Sequence, residues 1–262
     1  MNNKEKLELY RNNRIGLCKK NYQGYLMTIT EYENANNVKI EFEEINKVKY
    51  RTIKNWDSFN KGCIKNPYVS EIYNVGYVGE YGIIDKLCYR IWFDMLKRCY
   101  NEKYLTKEPS YKDCVVCEEW LNYYNFYKWW NKNYYEIPNE RMELDKDILV
   151  KGNKIYSPHT CCFVPQKING LFIKCKNRRG KYLIGVSLNT NKRLFGKEYP
   201  YLVRCSVNNK TISKYFKTQE EGFMFYKEQK ENEIKRIANL YKYYIPNKLY
   251  NAMINYKIER ND

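Results

Sequence analysis

The sequence lacks the features that carry a chain into or across a membrane. None of its apolar runs approaches the roughly 20 residues that span a bilayer, and it shows no signal-peptide pattern. Binding to a membrane surface would require a basic amphipathic helix or a lipidation motif. We therefore expect a soluble, intracellular protein with no membrane partner.

Histidine is almost absent, since His159 is the only one among 262 residues. The chain thus offers one side chain whose ordinary pKa lies near neutral pH, the usual requirement for a general base. Its ten cysteines are too sparse and too irregularly spaced for the disulfide framework of a secreted domain. Thiols outside disulfides and a metal site are the two interpretations left open.

Acidic residues are scarce relative to basic ones. The chain has 30 Asp and Glu against 47 Lys and Arg, which gives a formal net charge of +17. A surface this basic attracts a polyanion, because each phosphate that it neutralises releases condensed counterions. We predict nucleic acid as the partner and favour double-stranded DNA, although the net charge does not separate DNA from RNA.

An alternating pattern of apolar and polar residues runs from Gly16 to Pro67. Three such segments are separated by turns at Asn36-Asn37 and Ile45-Asn46, as expected of short antiparallel strands. The pattern predicts a small barrel-like β module at the N-terminus. Folding, dimerisation and nucleic-acid binding are all open as its role.

Glycine marks the next segment, with Gly76, Gly79 and Gly82 spaced among tyrosines. This composition interrupts regular structure and predicts a linker at a domain boundary. Asp85 then follows as the N-cap of a helix through Asn101, and apolar residues at helical spacing predict that one face of this helix is buried.

A C-x-x-C pair at Cys114 and Cys117 is a candidate zinc motif. Structural zinc needs four ligands, and the sequence has no second well-spaced pair. Cys99, Cys161 and Cys162 are the cysteines that could complete the site in space. The alternative that we favour is a set of buried thiols packed beside aromatic side chains.

The segment from Glu143 to Asn169 combines a predicted hairpin with a short helix. Gly152-Asn153 separates two apolar stretches and predicts a turn that needs a positive φ. A buried apolar run from Cys161 to Val164 follows, and Pro165 is a favourable first residue for a helix. The segment is therefore predicted to form a ββα unit.

Three motifs precede this unit: W-x-x-M-x-x-R-C-Y-N from Trp92 to Asn101, Y-K-D-C-V-V-C-E-E-W-L-N from Tyr111 to Asn122, and N-F-Y-K-W from Asn125 to Trp129. Together with the hairpin they span about eighty residues. This region resembles the HNH (ββα-metal) nucleases of phages and mobile introns, in the subgroup with the pattern L-D-R-I-D, Y-S-P-E-N-C and a final N.

The resemblance implies roles for individual residues. Asp145 and Asn169 match the two ligands of a divalent metal, Mg²⁺ or Mn²⁺. Lys146 stands where the general base is expected, and Thr160 stands where the asparagine that orients the base is expected. His159, one position before Thr160, is the alternative base because of its ordinary pKa.

Beyond this unit the pattern predicts three strands, 181–189, 199–208 and 210–217, with Asn208-Asn209 as a hairpin turn. Thr218 and Glu221 are spaced as a capping box at the start of a helix. In one register that the pattern allows, Leu183, Val203 and Ile212 pack on this helix. Arg204 then points outward, where it could read guanine.

This arrangement resembles the ethylene-response-factor (apetala-type) DNA-binding domain, which lays its three-stranded sheet in the major groove. Between residues 174 and 214 the basic residues outnumber a single acid, Glu198. A face that contacts phosphates needs this asymmetry, although a solvated basic face that reads no bases is equally compatible with it. The predicted contact residues are Lys174, Lys176, Arg178, Arg179, Lys181, Lys192, Arg193, Arg204, Lys210 and Lys214, with Lys197 in the same stretch.

These features predict an α+β fold in four segments. They are a small N-terminal β-barrel-like module (1–69), a linker (70–82), an HNH-like ββα-metal domain with preceding helices (83–173), and a domain of a three-stranded sheet and C-terminal helices (174–262).

Two functions remain open for this HNH-like nucleic-acid-binding protein, which the resemblance places in the cytoplasm of an infected bacterium. One is a metal-dependent DNA nickase or homing-type endonuclease. The other is an inactive DNA- or RNA-binding protein that regulates transcription or inhibits a host defence nuclease.

Overall fold

The computed structural model describes residues 2–80, 84–173, 180–190, 198–260 and 262, and these residues combine helices with several small sheets. The predicted mixture of helices and sheets is thereby confirmed. The chain divides into two compact units, Met1–Lys132 and Asn133–Asp262. The boundary between them falls inside the predicted HNH-like segment, and the four predicted segments stay predictions. Within the described ranges, no helix is long and apolar enough to cross a membrane.

The first unit begins with a helix and a four-stranded antiparallel sheet of order β1-β2-β3-β4. Its inner face, including Met27, Ile29, Val38 and Ile40, is buried with Phe59 of a short helix. The elements are α1 (Asn3–Arg14), β1 (Cys18–Lys20), β2 (Leu26–Asn34), β3 (Asn37–Phe42), β4 (Arg51–Lys54) and α2 (Trp56–Lys61).

The predicted barrel is wrong for this module. In the described residues the sheet is an open meander, and β1 and β4 lie at its two edges. Alternation along a strand shows that one face is buried, but it does not set the number of strands or their closure. Here the buried face is covered by residues of the following helix and loop, Phe59 and Ile64.

The glycine-rich segment is packed rather than extended over the residues that are described, 70–80. Gly76 approaches α3 (Lys86–Tyr100) so closely that a Cβ there would overlap Leu96. Gly79 has a φ of +72° and lies against the side chain of Asn122. The absence of a side chain at these glycines lets the backbone approach its neighbours closely. A flexible linker is also rich in glycine, so composition alone cannot tell these two uses of glycine apart.

The rest of the first unit is mainly helical and has a core rich in aromatic side chains. As predicted, Asp85 caps α3, accepting a hydrogen bond from the Cys88 amide at 2.8 Å. Trp92 of α3 is fully buried and donates its indole N–H to the Trp120 carbonyl at 2.7 Å. The following elements are α4 (Glu102–Lys107), β5 (Val115–Val116), α5 (Glu118–Leu121) and α6 (Tyr123–Asn133).

In the second unit the predicted pairing of the ββα region is wrong. β6 (Met142–Asp145) pairs antiparallel with β8 (Cys162–Pro165) and not with β7 (Ile155–Tyr156). The cause is local, because the Asp145 carboxylate accepts two backbone amides just beyond it and turns the chain away. The predicted positive φ at Gly152, +77°, and a short helix, α7 (Gln166–Asn169), are confirmed.

The predicted three-stranded sheet and helix are confirmed as elements. β9 (Val186–Leu188), β10 (Tyr201–Val207) and β11 (Lys210–Phe216) form an antiparallel sheet of order β11-β10-β9. Asn208 and Asn209 have φ values of +50° and +61°, as a two-residue hairpin turn requires. Helix α8 (Gln219–Tyr241) begins with the predicted capping box, and α9 (Asn247–Ile254) follows Pro246.

One hydrophobic core joins the parts of the second unit. Ile148 and Ile168 of the ββα region belong to the same buried cluster as Val203 of the sheet and Ile237 of α8. Leu249 and Met253 of α9 complete this cluster. The ββα region and the three-stranded sheet thus share one core in the structure.

Candidate functional site

Asp145 ends β6 and is buried. Its Oδ1 accepts hydrogen bonds from the amides of Asp147, at 2.9 Å, and Ile148, at 2.7 Å. Burial and the neighbouring Asp147 carboxylate raise the pKa of Asp145 to about 6. The predicted metal ligand is therefore held by the local backbone in a position where its charge is poorly solvated.

Lys146 occupies the position that the resemblance assigns to the general base, and it is only 7% exposed. Its ammonium donates to the Asp147 carboxylate at 3.0 Å and to the Asn153 carbonyl at 3.2 Å. Asn153 in turn donates its amide to the carbonyls of Lys146 and Ile155, both at 2.7 Å. These hydrogen bonds stabilise the turn. An ammonium has no lone pair, so Lys146 in this state cannot take a proton from water.

Thr160 and His159 lie in the turn that follows β7. The Thr160 hydroxyl donates to the Ile155 carbonyl at 2.7 Å and lies 2.8 Å from the Ser157 hydroxyl. His159 is exposed, and its imidazole forms no hydrogen bond with any residue that the structure describes. The hydroxyl of Thr160 thus closes the turn rather than orienting the histidine.

Asn169, the second predicted metal ligand, donates its amide to the Glu143 carboxylate at 2.7 Å. Glu143 and Asp145 are alternate residues of β6, so their side chains project from one face of the strand. The contact therefore brings Asn169 to the side of β6 that carries Asp145. Our sequence analysis missed Glu143, although its spacing of two residues from Asp145 was visible.

Oxygen donors of this kind suit a hard cation. The Glu143 and Asp145 carboxylates and the Asn169 carbonyl oxygen are the ligand types that Mg²⁺ and Mn²⁺ take. Across the described ranges, no group of three or more His, Cys, Asp or Glu residues is arranged to hold a metal ion. The donor chemistry fits, and a divalent-metal site at these residues stays a prediction.

The predicted zinc cysteines are mostly buried. Cys99, Cys114 and Cys161 are buried and Cys117 is half-buried, and no disulfide links the cysteines of the described chain. Burial raises the pKa of the Cys117 thiol, which favours the thiol over the thiolate. Trp120 and Phe126, beside which we expected these thiols to pack, are fully buried and in edge-to-face contact. Zinc stays a prediction.

The outer face of the three-stranded sheet is the best-defined candidate nucleic-acid interface. Val203 faces α8, where it lies beside Gly222, so its neighbour Arg204 points the opposite way, as predicted, and is exposed. The strand register pairs Arg204 with Ser213 and Ser206 with Thr211, all exposed. We call these four residues the outer sheet face.

The same register separates two predicted contact residues from Arg204. Lys214 pairs with Val203 and Lys210 with Val207, which places both lysines on the face that α8 covers. The Lys214 ammonium lies 4.9 Å from the ring centre of Phe225 on α8. Lys181 is exposed before β9. The remaining predicted contacts, Lys174, Lys176, Arg178, Arg179, Lys192 and Arg193, lie outside the described residues.

A buried carboxylate fixes the end of this sheet. Glu233 of α8 accepts two hydrogen bonds from Arg236, both at 2.8 Å, and one from the Asn208 amide at 3.2 Å. The hairpin turn next to the outer sheet face is thereby tied to the helix behind it. Our sequence analysis missed Glu233, because Asn208, whose amide it accepts, lies 25 positions away in the sequence.

Comparison with protein-family models, with curated proteins and with solved structures gives no match for this chain.

Proposed function

We propose that this chain is a nucleic-acid-binding protein with an HNH-like ββα region, and that it binds duplex DNA through the outer sheet face. The observation that carries the proposal is the exposed Arg204 surrounded by the hydroxyls of Ser206, Thr211 and Ser213. Arginine and hydroxyl side chains are common donors to phosphates and base edges.

The shape of the surface supports the same partner. β10 and β11 form a seven-residue antiparallel ribbon joined by a tight turn, and a ribbon of two strands fits the major groove. The Arg204 side chain is exposed, so its guanidinium donors can be reached by a ligand. The net charge of +17 adds an attraction that does not depend on sequence.

The ββα region contributes no general base at the expected position in this proposal. Lys146 is a buried ammonium that donates to Asp147 and Asn153. Removing its proton would remove the charge that pairs with the Asp147 carboxylate, 3.0 Å away. Binding without cutting is therefore the function that the geometry favours.

A second candidate function, metal-dependent nicking of DNA, has one specific observation in its favour. Asn169 contacts Glu143 on the face of β6 that carries Asp145, which gathers three oxygen-bearing side chains. His159 is exposed and would have to serve as the base. This function would require a metal ion to polarise the phosphate.

The proposal is tested by fluorescence anisotropy with a short labelled DNA duplex and the purified chain. Arg204→Ala should weaken binding by about tenfold, as expected for one lost arginine contact. The matched control, Lys214→Ala on the opposite face, should change binding by less than about twofold, because the register turns this lysine away from the ligand. Equal binding by all three proteins, or a larger loss in the control, would contradict the assignment.

A further inference from the structure

The turn between α8 and α9 presents two adjacent tyrosines to solvent. Tyr243 is 89% exposed and Tyr244 is 62% exposed, whereas Tyr241 before them and Ile245 after them are buried in the core. The amides of Tyr244 and Ile245 both donate to the Tyr241 carbonyl, at 2.8 and 3.2 Å. The two exposed rings are thus carried by a short turn that is anchored on both sides.

The surroundings of these rings are basic. The Lys242 ammonium lies 5.7 Å from the ring centre of Tyr243 and 5.9 Å from that of Tyr250. Lys248, near the start of α9, is also exposed. From residue 234 to residue 258 the chain has five Lys and Arg and no Asp or Glu. Arg236 and Lys257 are paired with Glu233 and Glu231, so the exposed Lys242 and Lys248 carry the charge that attracts phosphates to this segment.

We propose that Tyr243 and Tyr244 form a stacking platform for unpaired bases of a nucleic acid, with Lys242 and Lys248 beside its phosphates. Bases in a duplex already stack on each other, so an exposed aromatic ring gains contact mainly with an unpaired base. A positively charged path with aromatic rings is the usual way that proteins hold single strands without reading their sequence. The inference rests on the proposed function in taking nucleic acid as the partner, but it uses a different surface.

The test compares a labelled oligothymidylate, which has no duplex structure, with the labelled duplex. The variant is Tyr243→Ala with Tyr244→Ala, and the matched control is Tyr243→Phe with Tyr244→Phe, which keeps both rings. The alanine pair should weaken binding of the oligothymidylate by about tenfold or more and change duplex binding by less than about twofold. The phenylalanine pair should bind both probes nearly as the unmodified chain does. An oligouridylate probe shows whether RNA is held in the same way.

Several results would overturn the inference. If the unmodified chain binds the duplex and not the single strand, the platform is wrong and the proposed function stands. If it binds neither probe, both fail. If the alanine pair leaves single-strand binding unchanged but turns a dimer into a monomer in sedimentation, the tyrosines contact a second copy of the chain instead. Thermal unfolding of all variants verifies that losses do not come from misfolding.

Discussion

Two regions of the second unit carry polar side chains that our sequence analysis connected with nucleic acid, and they use them in opposite ways. In the ββα region, Asp145 and Lys146 are buried, and the Asp145 Oδ1 and the Lys146 ammonium form hydrogen bonds within the same turn. On the outer sheet face, Arg204 and Ser213 are exposed. The difference shows that the residue type alone does not make a site. A side chain whose donors and acceptors are already used supports the fold, while one directed to solvent is open to a ligand.

The largest expected effect concerns the packing behind the outer sheet face. Gly185 has a φ of +79°, and a Cβ there would overlap the ring of Tyr226 on α8. Gly185→Ala should therefore lower the free energy of unfolding by about 3 kcal/mol or more, from backbone strain and overpacking together. Chemical denaturation of the purified variant measures this loss.

The matched control lies in the ββα region. Gly152 has nearly the same φ, +77°, but no atom lies within 4 Å of the position that a Cβ would take. Gly152→Ala should cost only the strain of the left-handed conformation, about 1 to 2 kcal/mol. Equal losses in the two variants would mean that Tyr226 moves aside and that the contact between β9 and α8 is loose.

A smaller effect is expected from the charge of Asp145. Burial raises the pKa of its carboxyl to about 6 in the folded chain, well above the ordinary value for an unfolded one. Well below pH 4 both states are protonated. Between about pH 4 and pH 6 the unfolded carboxyl ionises while the folded one stays protonated, so the folded state loses stability across this window and little more above it. Asp145→Asn removes that charge and keeps a carbonyl oxygen for the two amides.

The asparagine variant should therefore be more stable than the unmodified chain at pH 7, by about 2 kcal/mol, and within about 0.5 kcal/mol of it near pH 4. Urea denaturation at both pH values measures the difference, and other titrating groups cancel because they are common to both proteins. A variant that is less stable at pH 7 would show that the surroundings of Asp145 stabilise its anion. The buried carboxylate of the ββα region would then not differ from an exposed polar side chain in the way described above.

Signals that are local in the sequence predicted local structure well. Asp85 caps its helix, Thr218 and Glu221 form their capping box, and Asn208-Asn209 adopts its hairpin turn. Each of these features depends on residues within a few positions of each other. That is why α3, α8 and the three-stranded sheet could be located from the sequence, whereas α1 and α6 were not predicted.

Features that depend on contacts between distant parts of the chain were harder to predict from the sequence. The pairing of β6 with β8 rather than β7 depends on how the Asp145 turn redirects the chain, and glycine composition did not distinguish close packing at Gly76 from a linker. The sequence did contain enough information to predict which residues of β11 face the helix. The register that puts Ile212 towards the helix also puts Lys210 and Lys214 there, a consequence that a count of basic residues ignores.

The central claim is that the outer sheet face binds nucleic acid while the ββα region does not cut it. A plasmid-nicking assay with Mg²⁺ or Mn²⁺, run at protein concentrations that saturate DNA binding, tests both parts together. We predict that the unmodified chain retards the supercoiled plasmid in a gel and leaves it intact. Nicking by the unmodified chain that disappears in Asp145→Ala and Asn169→Ala, with DNA binding retained, would contradict this account and identify a metal-dependent nuclease.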